Sequence, residues 1–202
     1  MTDLYLPSTA ALLVFMLLGT VDGLYLHLWR YRLYARPASR REHRYHTVAA
    51  VLFAATLPAV FLWETAGLLL WTGVALIGAD MVVSLADMLA ERDSRAGLGG
   101  LSRGEYVLHM VIMMAKASAL SLALAARPQA AWALDAPWVL QPLPAFATFV
   151  GWQALPGALA IGALHVWLCT ASGVRTMEAL RARASAWRGA PSGCCSDQMH
   201  SA

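Results

Sequence analysis

Two short segments of the chain carry a carboxylate and an imidazole at the same spacing. Residues Ser39 to Val48 and Ser102 to Val111 share the pattern S-R-x-E-x-x-x-H-x-V. Glu and His four apart lie on one face of a helix, so Glu42 with His46 and Glu105 with His109 each aim an acid and an imidazole in one direction. Such pairs suit a divalent metal or proton transfer. Both segments also read as S-x-x-E capping boxes, Ser39 with Glu42 and Ser102 with Glu105. Capping accounts for the glutamates at a helix start, but not for the histidines.

Other ionisable residues fall at comparable depth in their segments. His27 closes the first apolar run, Asp87 and Glu91 close the third, and His165 lies about a turn from the end of the fifth. Asp80, Ser84, Asp87 and Glu91 recur at spacings of four, three and four, which makes one polar stripe on a helix. The candidate metal ligands are therefore His27, Glu42, His46, Asp87, Glu91, Glu105, His109 and His165. A donor set of His, Glu and Asp without Cys favours iron, mononuclear or dinuclear, or zinc. Four-helix bundles build di-iron centres from such inward-facing residues. Neither the E-x-x-H spacing of those soluble bundles nor H-E-x-x-H occurs here. A b-type haem between His46 and His109 is a rival reading, although so many acids do not suit a haem pocket.

Four further groups have simpler expected roles. Asp22 or Asp80 with Lys116 reads as a buried ion pair that fixes helix register. Arg40, Arg41 and Arg103 would draw anionic headgroups to the mouth of a site. His43, among arginines, and Glu64, in a turn, read as solvated. The paired Cys194 and Cys195 with His200 belong to a tail.

The elements that must position these groups follow from composition. The chain has 202 residues, of which 59% are apolar and 13% charged, against roughly 25% charged in ordinary soluble domains. Its mean hydropathy is +0.55. A soluble domain of this size could not bury so much apolar surface, which excludes a typical soluble enzyme, a disordered chain and a disulfide scaffold. The expected fold is an all-α integral membrane bundle of five transmembrane helices, over about Pro7–Trp29, His46–Trp63, Gly67–Leu89, Glu105–Ala126 and Ala145–Thr170. Each has roughly the 17–25 residues that span a bilayer. The first lacks a cationic start or A-x-A site, so it reads as a retained helix rather than a cleaved leader. The repeated motif suggests a duplicated two-helix unit, since spans one plus two and three plus four share an orientation.

Of the fifteen cationic residues fourteen are Arg. Thirteen fall in the first and third connections and the C-terminal segment, all on one side of a five-span bundle. The positive-inside rule makes that side cytoplasmic, with the N-terminus outside and the C-terminus inside. Residues 1–172 are expected to form the bundle, 173–190 an amphipathic basic helix on the inner leaflet, and 191–202 a disordered tail. The net charge of +3 is spread beside apolar runs, which points to a membrane surface and away from nucleic acid. The expected setting is a bacterial-type inner membrane, and the expected partners are the lipid bilayer and a lipid-soluble substrate. The specific functional expectation is a metal-dependent membrane oxidoreductase. Its competitors are a non-catalytic subunit or transporter with an ion-pair or proton network, and the haem protein.

Overall fold

In lipid every backbone N–H and C=O must find a partner within the chain, so long apolar runs resolve as helices. The computed structural model describes residues 4–139 and 142–189, and those residues form helices and connections without a β-sheet. Helix α1 (Tyr5–Thr20) continues without a break as a π-helical segment, Val21–Arg30. Helix α2 (Arg40–Leu57) is extended by a second π-helical segment, Pro58–Leu62. Helices α3 (Gly67–Arg95), α4 (Arg103–Ala125), α5 (Ala145–Leu168) and α6 (Ala171–Gly189) follow. Five stretches are long and apolar enough to cross a membrane: Tyr5–Arg30, Pro37–Leu62, Gly67–Leu98, Arg103–Ala125 and Ala145–Leu168.

Two stretches outrun the sequence expectation. The second begins at Pro37 rather than about His46, and the third runs on to Leu98 rather than ending near Leu89. The added turns hold Glu42, His43, Glu91 and Arg95, all buried. Charged residues that looked like a wet connection are paired inside the bundle, so the helices extend with them. The expected tail, 191–202, with Cys194, Cys195 and His200, lies outside the described residues.

Helix α1 packs along α4, α2 along α3, and α5 against α2 and, less extensively, α1. An apolar core built on Leu12, Phe53, Leu57, Phe61 and Leu120 fills the middle, with Phe15 and Phe53 edge to face at 4.7 Å. At the end away from the arginine-rich segments, the last carbonyls of the second stretch need partners that their own helix cannot supply. Arg127 donates to the carbonyls of Val60 at 2.8 Å and Trp63 at 3.1 Å. The α5 backbone comes so close there that a Cβ on Gly151 would meet the Phe61 carbonyl at 2.6 Å.

At the opposite end α6 docks on the bundle. Val174 and Met177 pack around Leu28, Tyr34 and Leu168, Arg32 pairs with Glu178, and Arg181 stacks over Trp29 at 4.4 Å. Helix α6 is therefore partly held by protein contacts, with Leu180 left exposed.

Candidate metal centre

The π-helical segment decides which residues meet. In such a helix the hydrogen bonds join residues five apart, and Tyr31 N–H accordingly donates to the Leu26 carbonyl at 2.9 Å. Residues five apart are then close to one turn apart, whereas in an α-helix they face well away from each other. Asp22 and His27 are such a pair, and His27 Nε2 stands 3.5 Å from Asp22 Oδ2. With His46 from α2 they form a group whose candidate ligand atoms all lie within 4.8 Å of one another. The ring centroids of His27 and His46 are 4.4 Å apart.

His46 is aimed from both sides. Its Nδ1 faces Asp87 Oδ2 at 3.3 Å, which leaves Nε2 for a ligand. A Cβ placed on Gly23 would lie 3.2 Å from that Nε2 and 3.8 Å from Nε2 of His165, so both imidazoles converge on a backbone position that has no side chain. His165 is fully buried, with its ring 4.8 Å from that of His46 and 5.4 Å from that of His43. Both ring nitrogens of His165 and Nδ1 of His27 are buried and find no hydrogen-bond partner among the described residues. Buried polar atoms normally find one, and the open nitrogens of His165 lie beside the Asp22, His27 and His46 group that could hold a metal ion.

His109 is engaged differently. Its Nε2 lies 2.8 Å from Asp22 Oδ1 and its Nδ1 lies 2.8 Å from Glu91 Oε1. The two histidines of the repeated motif thus take successive carboxylates of the α3 stripe, His46 on Asp87 and His109 on Glu91. With both nitrogens occupied, His109 orients Asp22 rather than offering a free ligand atom, and it is a poor axial partner for haem.

The two glutamates of the motif also meet, on Arg95. This guanidinium is fully buried and donates through Nη1 to Glu42 Oε2 at 2.8 Å and through Nε to Glu105 Oε1 at 2.7 Å. Glu105 Oε2 accepts from the Tyr31 hydroxyl at 3.0 Å. Burial first, and then the carboxylate, raise the Tyr31 phenol above its ordinary range, so it remains a protonated donor. Glu105 is therefore committed to Arg95 and Tyr31, and Ser102 caps α4 through the Glu105 N–H at 3.2 Å. Glu42 keeps one oxygen, Oε1, 3.7 Å from His27 Nε2. Ser39 makes no side-chain cap.

Of the eight ligands expected from sequence, His27, His46 and His165 thus converge with open nitrogens. Asp87, Glu91, Glu105 and His109 are placed as partners of other side chains, and Glu42 is shared. Asp22, expected beside Lys116, joins the histidines; Lys116 instead pairs with Asp80 at 2.9 Å and donates to Ser84 at 2.7 Å. His43 and Glu64 are buried rather than solvated. Arg40, Arg41 and Arg103 are exposed, and none lines the cavity next to the centre.

That cavity measures about 130 Å³ and touches all five long helices. Asp22, His46, Asp87, Glu91 and His109 form its polar end, while Phe15, Phe53, Ile112 and Met113 are among its apolar walls.

Sequence reasoning missed Arg95 and the grouping of Asp22. The signal for Arg95 was present, because it continues the α3 stripe one turn past Glu91. The change to π winding left no such mark on the spacing. The fold and site together define an all-helical protein with five helices of membrane-spanning length and apolarity and a buried His/Asp cluster able to hold a metal ion. Searches of family models, curated proteins and solved structures returned no match for this chain.

Proposed function

We propose that the protein is a membrane metalloenzyme whose Asp22, His27 and His46 bind one iron ion. The observation that carries this reading is the mutual approach of these three ligand atoms within 4.8 Å. Two histidines and one carboxylate form the facial donor set of non-haem ferrous oxygenases, which leaves positions open for other ligands. His165 stands beside the set as a third imidazole. Asp87 holds the Nδ1 side of His46, the outer support that metal-bound histidines usually have. One ion suits this arrangement better than two, because His109 spends its nitrogens on Asp22 and Glu91.

The proposed reaction is oxidation of a lipid-soluble substrate. In hydroxylation, dioxygen with two electrons and two protons converts a C–H bond into C–OH and releases one water. The electrons require a separate reductant, such as a reductase or a reduced quinol. The ion would supply the site at which dioxygen is held and reduced. The chain's own residues hold the ion, keep His46 and Asp22 oriented through Asp87 and His109, and exclude bulk water through the surrounding helices. The arginine-rich end is placed at the cytoplasmic face, where the positive-inside rule sets it.

Elemental analysis with an absorption spectrum on the detergent-purified protein tests this. About one iron per chain without a Soret band supports it. A Soret band would indicate haem, zinc would indicate a hydrolytic or structural site, and absence of any metal would leave the Arg95 and Lys116 ion-pair networks as the purpose of the cluster.

A further inference from the structure

The cavity beside the cluster has one side without helix cover. Helix α5 packs on α2 and α1 and so closes the side between them, whereas the backbones of α3 and α4 scarcely approach each other. Side chains bridge that seam instead. Lys116 reaches Ser84 at 2.7 Å toward the middle of the bundle, and His109 reaches Glu91 at 2.8 Å nearer its arginine-rich end. Between these two rungs lie Met88 on α3 and Met113 on α4, both half-buried and both in the cavity wall. Unbranched methionines adapt to a guest more readily than branched side chains do.

The chemistry of the interior narrows the guest. Three acids, Asp22, Asp87 and Glu91, line the polar end, which disfavours an anionic group. No arginine lines the cavity; Lys116, its one lysine, is committed to Asp80 and Ser84, and His109 to Asp22 and Glu91. The whole cavity, at about 130 Å³, is close to the roughly 150 Å³ apolar cavity that accepts benzene. It holds one ring or one branched isoprene unit.

We infer that the window framed by Lys116–Ser84 and His109–Glu91 admits an uncharged ring-bearing or prenyl lipid sideways from the bilayer to the metal centre. This rests on the metalloenzyme reading for its chemistry, but the binding itself needs no metal. The substrate's apolar end enters between Met88 and Met113 and its reacting carbon comes to rest beside His46 and Asp22. A headgroup drawn in by Arg40, Arg41 and Arg103 has no part in this route.

The test is equilibrium binding of radiolabelled farnesol, an uncharged prenyl alcohol, to the full-length protein in detergent, with and without cobalt(II), and with hexadecanoate as the anionic control. Farnesol should bind saturably at about one per chain and hexadecanoate should not compete, as the acidic floor requires. Met113→Trp, which fills the window, and Ala49→Phe, which fills the cavity from its α2 wall, should each weaken farnesol about tenfold or more while cobalt uptake is unchanged. Thermal unfolding in detergent at the wild-type temperature shows that the variants are folded. Farnesol binding unaffected by both substitutions, or displaced by hexadecanoate, overturns the inference. If farnesol binds as described but cobalt does not, the window stands and the metal reading fails.

Discussion

His46 turns Nδ1 to Asp87 at 3.3 Å and so presents Nε2 to the bare backbone of Gly23 at the site. The carboxylate fixes both the tautomer and the ring direction of the imidazole, as outer carboxylates do at metal sites. Asp87→Ala should weaken metal binding by roughly 10–100-fold, read by competition with a chelator, with helix content unchanged. Equal affinity would show that His46 needs no such support.

Gly23 provides a second test of the same geometry. An alanine methyl there would stand 3.2 Å from His46 Nε2 and crowd the point on which His46 and His165 converge. Alanine is also a better helix former than glycine by about 1 kcal/mol. Gly23→Ala is therefore expected to lose metal while unfolding no more easily than wild type. Full metal content in this variant would move the ion away from Gly23.

Arg95 joins the two halves of the repeated motif through Glu42 and Glu105. Removing the guanidinium leaves two buried carboxylates without their partner, at a cost of about 3–5 kcal/mol. Arg95→Met should show that loss in denaturant unfolding, and Arg95→Met with Glu42→Gln and Glu105→Gln should recover much of it. A single variant as stable as wild type would mean that the glutamates are neutralised in another way.

These networks show what the sequence carried and what it did not. The five apolar stretches were legible because a membrane span needs a long apolar run, and the α3 stripe because a 3.6-residue period writes itself into residue type. Arg95 was legible too, but its charge assigned it to a connection. Burial of an arginine depends on where Glu42 and Glu105 end up, and only tertiary structure brings those two together. Asp22 and His27 were unreadable as a pair because α-helical spacing separates residues five apart. His43 and Glu64 looked solvated from their neighbours in sequence, yet packing encloses both. Sequence could mark acids and imidazoles on one helix face, but not which of them would satisfy each other.

Lys116 and Asp80 form a separate buried pair at 2.9 Å. Lys116→Met alone should destabilise the bundle by about 3–5 kcal/mol, and Lys116→Met with Asp80→Leu should fall close to wild type, because apolar replacements often match a buried ion pair. Thermal unfolding in detergent reads both. Neither change should reduce metal content, since this pair lies outside the Asp22, His27 and His46 group.

The most direct measurement is cobalt(II) titration of purified, metal-free protein, followed by its visible absorption, for wild type, Asp22→Ala, His46→Ala and Lys116→Met. Wild type and Lys116→Met are expected to bind about one ion per chain with the same spectrum, while Asp22→Ala and His46→Ala lose the bands and the tight site. Undiminished cobalt binding by His46→Ala would contradict a metal centre at Asp22, His27 and His46.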